Sequence, residues 1–291
     1  MAYGVSDKEV ARSTAEAQHV RQNLLGGSMK RETEFRSVLE TAKPFLRYLD
    51  EAFELMELST RGTHLLASQP ALTEALIKYH EGVSGEPDPT REEKLEESAR
   101  LSALAAREIE NGFPLLHAHA LVGVWGALEA WIDDACVRWI ICAPDLCDWG
   151  DRRLRVAPSE LLEADEDHKA QVILAAVKSE RISAQKLGVE QFESTLKVLG
   201  LGGHVPHRIS EAIFQMQQIR HIYAHRAGIA DATFVERCGN RLNCVAGERV
   251  AVSQSQMSEY AGAAVEYTHI LHLRVEERLG NHVDWPDAFV E

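Results

Sequence analysis

Long unbroken apolar runs are missing from this chain. Its most apolar stretches are interrupted by charges such as Asp133, Asp134 and Arg138, and no run reaches the roughly 18 residues of a membrane span. Cysteine is scarce, five in 291 residues, and an odd number without dense spacing suits reduced thiols better than a disulfide framework. The start, MAYGVSDKEVARSTAEAQ, has no basic region followed by an apolar one and does not read as a secretory signal. These absences place the expected protein in the cytoplasm, away from membranes. Positive charge is also in deficit. A protein that grips long nucleic acid over its whole surface is usually basic, and this chain carries a net charge of −14, so any RNA contact must run through a local patch or a site formed between subunits. An acidic scaffold that never meets nucleic acid fits the charge equally. Neither a P-loop nor a dinucleotide-binding fingerprint is present. The glycines of LGLGGHV (199–205) lack both the lysine and the preceding strand, and read as a linker.

What the chain has is helical period. Ser6 to Leu25 and Arg31 to Ser59 read as helices, the second kinked near Pro44, followed by shorter ones over Pro70 to His80 and Thr90 to Glu110. Between these last two, GVSGEPDPT (82–90) carries two glycines and two prolines, the strongest boundary signal in the chain. It divides an N-terminal helical region, 1–88, of unassigned role from a second helical domain, 89–291. Within the latter the pattern predicts an apolar helix from Leu115 to about Cys142, a surface loop at 143–158, and helices over Glu166 to Leu187 and Val189 to Leu199. Further helices are expected from His207 to about His225 and from Ser255 to Leu279. Past His225 the 3.6 period is lost, and the loose alternation of residues 242–253 suggests one small β-hairpin. The expected fold is all-α with that single exception.

The stretch QMQQIRHIYAHRAG holds the chemistry-bearing residues. At about 100° per residue, Ile209, Ile213, Met216, Ile219 and Tyr223 form a packed stripe with Arg220 inside it, while His221 and His225 lie about 40° apart on another flank. An arginine aimed inward needs a carboxylate or phosphate to meet it, or else must snorkel from the stripe's edge. The expected carboxylates are Glu129 and Asp133, four apart on the apolar helix; both could equally be solvated flank residues. His225 stands where the helix ends. It could simply complement the helix dipole, or it could exchange protons in RNA cleavage, for which RNA supplies its own 2′-hydroxyl nucleophile. Arg220 would then stabilise the charge on phosphorus, and His221 would give the second proton function or position the phosphate. Arg220 and His225 are about 140° apart around the axis, a gap that two symmetrically paired copies close better than one, so a homodimer is expected. From Gly203 to Arg226 three arginines and four histidines face one acid, Glu211, which makes Arg208 and Arg226 candidate RNA contacts.

RHIYAH, Arg220 to His225, resembles the signature of the HEPN superfamily, and the following RAGIADATF, with Asp231, is similar to the extension of its RNase-like branches. The likeness spans about residues 115–279. It implies a dimerising helical bundle and a metal-independent endoribonuclease of the kind found in toxin–antitoxin and anti-phage systems, with a cognate antitoxin or defence protein as partner. It also implies that Arg220 and His225 are catalytic and that an acid on an earlier helix, Glu129 or Asp133, supports the arginine. Many members carry asparagine or aspartate where this chain has His221, and some members are not catalytic. A helical interaction protein, acting as antitoxin, sensor or degenerate relative, is therefore the alternative expectation.

Other constellations weigh less. His204, His207, His221 and His225 with Cys238 and Cys244 could supply four zinc ligands, but there is neither a His-Glu-x-x-His pair nor a tight Cys-x-x-Cys, so no metal and no cofactor is expected. His117 projects into an apolar stripe and reads as a satisfied core histidine. Trp149 beside Arg152 and Arg153 could form a stacking platform for single-stranded RNA, or a loop pinned by one tryptophan.

Overall fold

A computed structural model describes residues 36–150, 154–157, 159, 161, 164–179, 186–242 and 244–289. Among them are nine α-helices and no β-strand: α1 Ala42–Ala67, α2 Gln69–Ser84, α3 Arg91–Asn111, α4 Pro114–Cys142, α5 Glu166–Ser179, α6 Val189–Val198, α7 His207–Arg226, α8 Ala232–Leu242 and α9 Gln254–Arg278. The all-α expectation is met.

Helix α4 is the hub, packing against α1, α5, α7 and α9. It is apolar nearly all round, so no single face could satisfy it, and it buries Leu121, Trp125, Leu128, Ile132, Trp139 and Ile140 on several sides. By length and composition alone α4 is apolar enough to cross a membrane, although no 18 of its residues run without a charge. In this fold its side chains go into the core instead. Pro114 opens it after a left-handed Phe113 (φ 57°), and Pro144, beyond its C-cap, cannot continue it. Helix α1 joins the same core through Phe45, Leu49 and Met56, and Phe45 stacks on Trp131 at 6.1 Å.

Differences from the sequence expectations have local causes. The break before α1 falls at Thr41, because Pro44, in the first turn of α1, has no N–H to return to the Glu40 carbonyl. The expected helix at Ser6 to Leu25 lies outside the described residues, as do residues 180–185 of the one expected over Glu166 to Leu187. Among the described residues of 242–253 the expected hairpin is absent. Residues 244–250 instead fold back on the end of α7: Ala230 N–H donates to Glu248 O at 2.8 Å, Gly247 N–H to Ala230 O at 2.8 Å and Val250 N–H to Gly228 O at 2.9 Å. One isolated antiparallel bridge, Ile229 to Arg249, results. Helix α8 occupies part of the segment where the period seemed lost; it starts because Asp231 caps it, accepting the Phe234 N–H at 2.8 Å.

A buried ion pair holds α6, the glycine loop and α9 together. Arg274 on α9 donates to Glu193 on α6 at 2.7 Å, to Leu201 O at 3.1 Å and to His204 O at 2.8 Å, while Tyr267 OH donates to the same carboxylate at 2.8 Å. The loop 199–205 can lie this close because a Cβ at Gly203 would meet Arg274 Nε at 3.0 Å, and one at Gly202 would meet Lys197 Cα at 2.7 Å.

Candidate functional site

Helix α7 crosses α4 with Ile209, Ile213, Met216 and Ile219 buried, and Tyr223 half-buried and donating its hydroxyl to Val250 O. This packing fixes the rotation of the helix and sets Arg220 at the edge of the stripe rather than within it. Its side chain is 37% exposed and faces Glu129 of α4, itself 32% exposed, with Nη2 to Oε2 at 3.9 Å. At that distance the pair is an ion pair without a close hydrogen bond, and most of the guanidinium fork stays available. Asp133 does not share this role, because it is taken by Lys178 of α5.

A cavity of about 400 Å³ opens between α4, α6, α7 and α8. Arg220, His221 and Glu129 are on its wall, with Asp231 and Arg237. His225 is not on that wall. It lies one turn further along α7, exposed, with its ring centroid 4.8 Å from that of His221. The motif helix ends just past it because Ala227 (φ 51°) and Gly228 (φ 79°) both turn left-handed. A Cβ on Gly228 would meet the Tyr223 ring at 2.8 Å, so only glycine fits this turn. Partial burial, then the neighbouring His225 and Arg220, hold His221 below the ordinary imidazole value; Asp231 opposes them. That shift favours the neutral, proton-accepting form of His221.

The expected basic patch is matched charge by charge. Arg208 pairs with Glu266 of α9 at 2.6 Å, Arg220 with Glu129, and Arg226 with Asp231 at 3.4 Å. Arg208 also lies twelve residues, roughly 18 Å, up the helix from Arg220. Trp149 is half-buried and pinned by its indole N–H to Pro144 O at 2.9 Å, away from the cavity, while Arg152 and Arg153 fall outside the described residues. His117 is buried and its Nδ1 lies 3.1 Å from Val252 O. Among the described residues no group of three or more histidine, cysteine or acidic side chains is placed to hold a metal ion. His204 and His207 are exposed, whereas Cys238 is buried and its thiol pushed up to about 12 by that burial.

Sequence reasoning passed over the glutamines of QMQQ. In the fold Gln217 and Gln218, with Gln191, build one side of the cavity, while Gln215 turns to Glu211 and Tyr260. The Gly188 N–H donates to Gln217 Oε1 at 2.7 Å, Gln217 Nε2 to Gln191 Oε1 at 2.6 Å, and Gln191 Nε2 to Glu129 Oε1 at 3.0 Å. The carboxylate facing Arg220 is thus itself tethered by a row of amides. Three polar glutamines on a core helix were the available signal, but Gln191 joins them only through the tertiary fold.

No family model, curated protein or solved structure matches this chain.

Proposed function

We propose that this chain is an endoribonuclease of the HEPN type, cleaving RNA by attack of a 2′-hydroxyl on the adjacent phosphate. The observation that carries the reading is the grouping at the end of α7: a guanidinium faced by a carboxylate at 3.9 Å, beside two imidazoles whose rings are 4.8 Å apart. In this mechanism one imidazole takes the 2′ proton, the 2′ oxygen bonds to phosphorus, and the other imidazole protonates the departing 5′ oxygen. Arg220 neutralises the extra charge on the phosphorane. Neutral His221 suits the first step, leaving His225 to give the second proton. The products are a 2′,3′-cyclic phosphate and a 5′-hydroxyl, with no protein nucleophile required.

The exposed position of His225, outside the cavity wall, favours a site completed by a second copy, with one protomer's Arg220 near its partner's imidazole. Such an enzyme would work in the cytoplasm as a toxin or anti-phage effector, restrained by a cognate antitoxin or defence protein. The test is cleavage of a mixed RNA pool in the presence of chelator. Wild type should leave 2′,3′-cyclic ends, and His225→Ala and Arg220→Ala should each fall by a factor of at least about 100. Mixing the two inactive variants should restore part of the activity if the site is shared between copies. Intact RNA with folded wild-type protein would sink the nuclease.

A second reading, a non-catalytic helical interaction module, is favoured by a different observation. Leu72, Leu76, Tyr79 and Val83 recur at spacings of four, three and four along α2 and are 59–73% exposed. That is the seam of a helix with an apolar face and no partner among the described residues.

A further inference from the structure

We infer that the cavity beside Arg220 is a nucleobase pocket that selects a purine next to the scissile phosphate. The inference rests on the ribonuclease reading for its substrate class, but its evidence is separate. Gln218 is only 5% exposed and lies on the cavity wall. A buried amide normally satisfies its donor and its acceptor, since leaving either unmet is costly. Gln218 does neither well. Its Nε2 is 3.4 Å from Gln217 Oε1, an oxygen already accepting the Gly188 N–H at 2.7 Å. Its Oε1 is 3.5 Å from Nη1 of Arg237. Both contacts are at the outer limit of hydrogen bonding.

The neighbouring amides leave no better partner. Gln217 and Gln191 are fixed in orientation by the peptide N–H at one end of their row and the Glu129 carboxylate at the other, so neither turns to serve Gln218. What remains is a planar amide with a donor and an acceptor side by side on the wall of a cavity. The complement is a flat ligand with an acceptor and a donor side by side on one edge, which is what a nucleobase presents; the glutamine–adenine pair is the familiar case. Arg237, exposed and on the same wall, adds N–H donors that favour the N7-bearing edge of a purine. Phe234 and Trp125 supply apolar walls. The volume, about 400 Å³, is at the lower end of the range for small-ligand sites. Gln218 precedes His221 by three residues, about 4.5 Å along the helix axis, so a base held at Gln218 puts its own phosphate within reach of Arg220 and His221.

The experiment is calorimetric titration of the full chain with the four nucleoside 3′-monophosphates, using wild type, Gln218→Leu and Arg220→Ala. Replacing a poorly satisfied buried amide by an apolar side chain of similar size should leave the fold intact, which a thermal melt checks. Wild type should bind the purine nucleotides about tenfold or more tighter than the pyrimidine ones. Gln218→Leu should bring all four within about twofold, whereas Arg220→Ala should weaken all four together. Equal binding of the four by wild type, no binding of any, or an undiminished preference in Gln218→Leu would each overturn the pocket. Cleavage mapped on the same protein separates the two ideas. Cleavage without a purine preference at either flanking nucleotide leaves the nuclease and removes the pocket. Purine-selective binding without cleavage does the reverse.

Discussion

His221 stands between two influences that a sequence cannot rank. Burial against the cavity, with His225 and Arg220 beside it, disfavours its protonated form, and Asp231 pulls the other way; the first group wins. The folded protein therefore binds this proton less readily than the unfolded chain. The stability His221 carries is whole above the unfolded value near 6.5, and is lost as pH falls through the lower, folded one. An NMR titration of the histidine ring protons should place His221 below about 6.5, and His225→Ala should move it upward by removing one of the neighbours that lower it. If wild-type His221 titrated at or above the ordinary value, its assignment as proton acceptor would fail. The same residue sharpens the catalytic reading, because the acidic limb of the cleavage profile should lie below the ordinary imidazole range.

At the scale of elements, the end of α7 decides where His225 stands. Two consecutive left-handed residues stop the helix, and the second has room only for hydrogen where a Cβ would meet Tyr223 at 2.8 Å. Gly228→Val should cost about 1–3 kcal/mol, through backbone strain and displacement of the tyrosine ring. Its thermal midpoint should fall, and the Tyr223 to Val250 link that ties the following loop to the helix should break. A variant as stable as wild type would mean that the turn relaxes without strain. Helix α8 teaches a related point about local signals. Phe234, Val235, Cys238 and Leu242 are spaced as a helix requires, yet they are few, and Gly239 interrupts them. The cap at Asp231 is what defines its start, and that signal was visible as an acid placed just before a weak apolar run.

Across the whole molecule, Glu193 and Arg274 tie α6 and the glycine loop that follows it to α9, far along the chain. Removing the guanidinium leaves the largely buried Glu193 carboxylate without its cation, so Arg274→Ala should lower the unfolding free energy by about 3 kcal/mol in denaturant melts, more than any surface ion pair here. A loss under about 1 kcal/mol would show that water reaches the carboxylate readily. This pair was not legible beforehand: Arg274 sits in an amphipathic helix where solvated arginines are common, and nothing local marks Glu193 as its partner. What was legible had a strong period behind it. The apolar α4, the packed stripe of α7 and the facing of Arg220 by Glu129 follow from side chains repeating around a helix. The separation of Asp133 from that pair, and the glutamine wall, needed the placement of α5 and α6. Residues as far apart as Gln191 and Gln217 carry no trace of each other in the sequence.

The row of amides from Gly188 to Glu129 has a direction. Each side-chain oxygen accepts from the group before it, beginning with the Gly188 peptide N–H, and each side-chain nitrogen donates to the group after it, ending at the Glu129 carboxylate. Turn one amide around and two like dipoles confront each other, so the row holds its sense as a unit or not at all. The posture of a single guanidinium is thereby tied to a backbone atom thirty-two positions away along the chain, through two glutamines and one carboxylate.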